Sequence, residues 1–81
     1  MTIFYSKQAV KTINRIDSAT KKRIKHGIEG IPNGDIKPLQ GAPGHNRLRI
    51  GDWRILFSYE ENDIIRINKI APRGDVYKGV K

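Results

Sequence analysis

Apolar positions follow a helical spacing in the first half of the chain and a two-residue alternation in the second, and the change predicts where helices give way to strands. Thr2 to Tyr5 is β-rich and too short for a helix, so it reads as a strand. Ser6 offers an N-cap to a helix over Lys7 to Ile16, in which Ala9, Val10, Ile13 and Ile16 form a buried stripe opposite Lys7, Lys11 and Arg15. Asp17 and Ser18 break that helix and can cap a second, Ala19 to Glu29, closed by Gly30 and Pro32, with Ile24, Ile28 and Ile31 as its stripe. Asn33 to Asn46 holds Gly34, Pro38, Gly41, Pro43 and Gly44 and reads as a loop anchored by Leu39. From Arg47 the period becomes two: Leu48, Ile50, Trp53, Ile55 and Phe57 share one face of a hairpin that turns at Gly51-Asp52. Glu60 to Asp63 makes the next turn, and Ile64 to Ile70 the last strand, with Ile65 and Ile67 pointing one way. The predicted order is β-α-α-β-β-β in an α+β class: an antiparallel sheet packed against an N-terminal αα-hairpin, with the first strand added at the edge or parallel to a neighbour. At 81 residues the chain is one domain, spanning 1–81.

Composition narrows the chemistry. Lys and Arg number 16 against 8 Asp and Glu, and a formal charge of +8 on so small a chain calls for a polyanionic partner. There is no cysteine, so thiol and disulfide chemistry is excluded, and two histidines, His26 and His45, are too few for a protein-built zinc site; no metal or cofactor is expected. No apolar run reaches the roughly 20 residues of a membrane span. The first residues lack a basic region followed by an apolar one, so a soluble cytoplasmic protein is expected. Lys21, Lys22, Arg23 and Lys25 form a basic run on the second helix. Taken alone it is a solvated face; in a chain of this charge it is also a candidate RNA or ribosome surface, with Lys78.

The arginines are the more informative feature. A two-residue loop at Gly51-Asp52 sets Ile50 opposite Trp53, Arg49 opposite Arg54 and Leu48 opposite Ile55, with Arg47 on the face of Arg49. Like charges opposed across strands cost from a few tenths to about 1 kcal/mol. Folding gains nothing from the pairing, which suggests an anionic ligand, and guanidinium is the side chain best shaped for phosphate.

The segments RLRIGDWRILFSY, DIIRINKI and PRGDVYK resemble the RelE/ParE superfamily of toxins from type II toxin–antitoxin pairs, and within it the RelE branch. The resemblance covers almost the whole chain. It implies a sheet that cradles two N-terminal helices. It also implies a ribosome-dependent endoribonuclease that cuts mRNA in the A site, beside the 16S rRNA, without metal, and that is neutralised by a RelB-like antitoxin. By motif position the working residues fall on Arg47, Arg49, Arg54, Arg73 and Tyr77. Well-known members carry lysines on the first of those strands, where this chain has Arg47 and Arg49, with His45 two residues before. A guanidinium stabilises phosphate but is a poor general base.

RNA cleavage by its own 2′-hydroxyl needs that proton removed, charge stabilised on a five-coordinate phosphorus, and a proton delivered to the departing 5′-oxygen. Arg54 and Arg73 suit the charge. Tyr77 can stack on a base, orient the 2′-hydroxyl or act as base if nearby cations lower its pKa, and His45 is a second candidate base because imidazole titrates near neutrality. Two other readings compete: a ParE-type non-enzymatic inhibitor of DNA gyrase, and a basic RNA-binding module without catalysis, which would show a steep salt dependence and release no cut product.

Overall fold

The computed structural model describes residues 2–72. Its elements are β1 (Thr2–Tyr5), α1 (Lys7–Ile13), α2 (Ser18–Glu29), β2 (Asp35–Pro38), β3 (His45–Ile50), β4 (Trp53–Glu60) and β5 (Ile64–Pro72). The strands form a five-stranded sheet in the order β1-β5-β4-β3-β2. β1 lies at the edge parallel to β5, and the other pairings are antiparallel.

The helix starts follow their caps. The Ser6 hydroxyl accepts from the Ala9 N–H at 3.1 Å, and Asp17 accepts from the Thr20 N–H at 3.0 Å. α1 ends at Ile13, a turn earlier than its apolar stripe predicts. The Arg15 N–H bonds back to the Thr12 carbonyl at 3.0 Å, an i→i−3 closure, and Asp17 must be extended (ψ 160°) to cap α2. Ile16 still packs against the core from that turn, whereas Val10 faces out, 44% exposed.

Ala9 and Ile13 of α1, Ile24 and Ile28 of α2, and Ile31 pack on Leu48, Ile55, Phe57, Ile65, Ile67 and Ile70 of the sheet, with Ile50 and Trp53 half-buried beside them. Gly27 permits the close approach of α2 to β3, because a Cβ there would strike the Ile50 side chain. The hairpin has the predicted register, with Leu48 opposite Ile55, Arg49 opposite Arg54 and Ile50 opposite Trp53. Gly51 supplies a φ of +58°, a conformation glycine adopts at no steric cost.

Two features depart from the sequence pattern. Asp35–Pro38, within the predicted loop, is a fifth strand: Ile36 pairs with Leu48 and packs against the core. The β4–β5 ladder is also broken, with Leu56 opposite Lys69 but Phe57 opposite Ile67, so Asn68 is an extra residue. Strict alternation would turn Ile70 away from the core; the bulge turns it in. The backbone groups freed there are taken by the first turn of α1. The Ser6 hydroxyl donates to the Asn68 carbonyl at 2.8 Å, and the Ile70 N–H donates to Gln8 Oε1 at 3.3 Å.

A candidate RNA-binding face

Both helices pack on one side of the sheet, through α1 against β5 and α2 against β3. The alternation of strand side chains then assigns the other side. One transverse row of this outer face is Asp35, Arg49, Arg54 and Ala71; the next is Lys37, Arg47, Leu56 and Lys69; a third is His45, Ser58, Arg66 and Phe4. Arg47, Arg49 and Arg54 thus share a face, as predicted. Lys37, Arg66 and Lys69 add cations that the sequence pattern did not single out, because two depend on the unpredicted β2 and on the bulge.

The arginines are held differently. The Arg47 side chain is 11% exposed and pairs with Asp35, Nη2 to Oδ1 at 3.4 Å. Arg49 donates from Nε to the Gly51 carbonyl at 3.4 Å. Arg54 is half-buried, and its Nη1 is buried with no hydrogen-bond partner among the described residues. A guanidinium donor out of water and without an acceptor is unfavourable, and an anion that reached it would relieve the cost. Around it, Leu56 and Ala71 with Leu39 make a small apolar cluster that lowers the local dielectric.

Arg23 also reaches this end of the hairpin: a Cβ on Gly51 would sit 2.9 Å from its Nη2. The rest of the basic run diverges. Lys21 and Lys25 line a groove on the helical side with Tyr5, Val10, Ile13 and Asn14, and Lys22 is exposed. Burial, and then the Glu29 carboxylate, raise the Tyr5 pKa, so this phenol stays neutral. His45 is exposed in the third row, four residues along the strand from Arg49 and two from Arg47, or about 13 Å and 7 Å of backbone. It can reach a phosphate seated at Arg47 but not one seated wholly at Arg54. Arg73, Tyr77 and Lys78 lie outside the described residues. Among the described residues no three His, Asp or Glu side chains form a group that could hold a metal ion.

A parallel edge strand on an antiparallel sheet, two helices on one side and arginines on the other define a small α+β domain with a cationic sheet face. The family described as the ParE toxin of type II toxin–antitoxin systems, parDE, matches residues 3–77, and the chain belongs to it, a type II toxin of the RelE/ParE superfamily. It is similar to Toxin RelE3 of Methanocaldococcus jannaschii, 28% identical over 85 residues, covering 95% of this chain and 96% of that protein. Two solved structures resemble it: the RelE of a RelB–RelE antitoxin–toxin complex from Methanococcus jannaschii (TM-score 0.74, 26% identity, 93% of this chain and 95% of that one) and that of an archaeal RelE–RelB complex from Pyrococcus horikoshii OT3 (TM-score 0.73, 27% identity, 91% and 96%).

Proposed function

We propose that this toxin is a ribosome-dependent endoribonuclease that cuts mRNA in the A site, and that the outer sheet face holds the scissile phosphate. The carrying observation is Arg54: a buried guanidinium donor without a partner among the described residues, directly across from a second arginine, in a face otherwise suited to RNA. Attack of the 2′-oxygen on the adjacent phosphorus forms one P–O bond as the bond to the 5′-oxygen breaks. The products are a 2′,3′-cyclic phosphate and a 5′-hydroxyl. Arg54, with Arg49 and Arg73, stabilises the charge that grows on the non-bridging oxygens. The proton of the 2′-hydroxyl passes to Tyr77 acting as the phenolate, or to His45 if the phosphate seats at Arg47, and the group so protonated gives a proton to the departing 5′-oxygen as its bond to phosphorus breaks.

The partner that restrains it is a RelB-like antitoxin, a reading supported by the two archaeal relatives solved as RelB–RelE complexes. Its toxin-facing segment is expected to be acidic, because it must cover a +8 surface and compete with phosphate; a basic neighbouring gene product that nevertheless neutralises the toxin would contradict this.

The test is primer extension on a defined mRNA in a purified translation system, beside the same RNA without ribosomes. Cuts confined to translated RNA, and lost in Arg54→Ala, are the expected result. The ParE family match favours a second reading, inhibition of DNA gyrase. No cuts in either sample, with inhibition of gyrase supercoiling that survives Arg54→Ala, would establish that reading instead.

A further inference from the structure

The third row of the outer face ends in an exposed aromatic residue that the cleavage chemistry does not use. Phe4, on the edge strand β1, is 57% exposed, although an aromatic ring of this kind usually packs inward. It pairs in register with Arg66, whose guanidinium carbon lies 5.5 Å from the centre of the Phe4 ring. The two line a shallow cavity of about 190 Å³ with Ile64 and Glu60, room for one planar heterocycle. All four side chains are on the face of Arg47, Arg49 and Arg54, by the same alternation that puts Ile3, Ile65 and Ile67 in the core. Phe4 lies two strands and four residues from Arg54, about 10 Å across the sheet and about 13 Å along it. That is more than one nucleotide away.

Resting on the reading of this face as the mRNA-cleaving surface, we propose that Phe4 and Arg66 form a stacking platform for an unpaired base a few nucleotides from the cut. The ingredients are those of single-strand recognition, an aromatic ring and a guanidinium plane on which a base can lie beside a cationic track for the backbone. Glu60 decides between base and phosphate. Its carboxylate repels a phosphate from this cavity but accepts a hydrogen bond from an exocyclic amine of a base. The occupant is a base in the cavity, with the backbone following the arginines.

The experiment uses stalled ribosome complexes whose mRNA carries 2-aminopurine, a fluorescent base with such an amine, at successive positions in and beside the A-site codon. A 2′-O-methyl group at the scissile nucleotide prevents cleavage. With wild-type toxin, one position outside the cut should be quenched by stacking. Phe4→Ala should abolish that quench and weaken binding about tenfold, the scale of one base–aromatic stack. Phe4→Tyr should keep both, and Arg66→Ala should lose part of both. On unmodified mRNA, Phe4→Ala should raise KM about tenfold and leave kcat nearly unchanged, because the platform binds substrate and transition state alike.

Phe4→Ala that binds, quenches and cuts as wild type does would overturn the platform while leaving the nuclease reading intact. If Phe4→Ala instead weakens only capture of the antitoxin, the patch belongs to that protein–protein interface and the inference fails. Wild-type toxin that neither binds nor cuts programmed ribosomes would remove both readings together.

Discussion

Replacing Arg54 with methionine should make the free toxin more stable and nearly inactive. Among the described residues the buried Nη1 has no acceptor, and an unsatisfied buried donor costs about 1–3 kcal/mol. Arg49 lies directly opposite, and two like charges so placed cost from a few tenths to about 1 kcal/mol. Methionine removes both penalties while keeping an unbranched, flexible side chain beside Leu56 and Ala71. The expected gain is about 1–3 kcal/mol, which for a domain of this size raises Tm by about 4–24 °C. The same substitution removes a preorganised donor, and the cleavage rate should fall about 10²- to 10³-fold. Melting followed by circular dichroism, and primer extension with purified ribosomes, read the two effects. Arg54→Lys supplies a control that keeps the charge but loses the planar fork, and it should not recover wild-type activity. A methionine variant that melts at or below the wild-type temperature would refute the reasoning, since the guanidinium would then be contributing to the fold.

Trp53→Ala should cost about 3 kcal/mol, because the indole packs against the core opposite Ile50; urea unfolding that matched wild type would show that the hairpin register carries less than we assign to it. Asp35→Asn should free Arg47 from its ion pair, changing stability by less than about 1 kcal/mol and tightening RNA binding at low salt, a difference that filter binding should lose as salt is raised. The Asp17 carboxylate is held below its ordinary pKa of 3.8, first by the Thr20 hydroxyl and then by the Thr20 N–H. A depressed folded pKa means that this stabilisation is present above the unfolded value and is lost as the pH falls through the folded one. Asp17→Asn should therefore melt below wild type at neutral pH, with the gap closing below about pH 4; a constant gap across that range would exclude the carboxylate as its source.

The parts legible in the sequence are those fixed by local chemistry. Leu48, Ile50, Ile55 and Phe57 alternate around a Gly-Asp turn, so the hairpin and the juxtaposition of Arg49 and Arg54 follow from spacing alone. The second helix was equally legible, since Asp17 caps it and its isoleucines recur at helical spacing. β2 was not, because its four residues include a single half-buried apolar position and a proline, and it is a strand only because β3 offers it an edge. The bulge at Asn68 was illegible for a related reason: its compensating partners, Ser6 and Gln8, are 62 residues away in the chain. The site divides in the same way. Which arginines share a face was readable, but the pairing of Arg47 with Asp35, and the lack of a partner for Arg54 Nη1 among the described residues, depend on β2 and on packing across the sheet.

The fold does not choose the toxin's target, since a sheet with two helices is a scaffold and function is carried by what is mounted on it. What is mounted here is a particular treatment of charge on the outer face. A surface that serves only to dock a protein can leave its arginines in water, where they cost little. This face instead places the Arg54 donor out of water and, among the described residues, unpaired, so an anion that reached it would gain a hydrogen bond and relieve the cost of the unsatisfied donor. RNA phosphate and an acidic antitoxin segment would both obtain that advantage. On the proposed reading, competition for this one donor would account for neutralisation: an antitoxin that satisfied Arg54, or blocked the approach to it, would not need to deform the sheet. It follows that substitutions which stabilise the free toxin at this position should weaken both partners together, whereas substitutions in the helical groove around Val10 and Lys25 should leave binding of RNA phosphate unchanged.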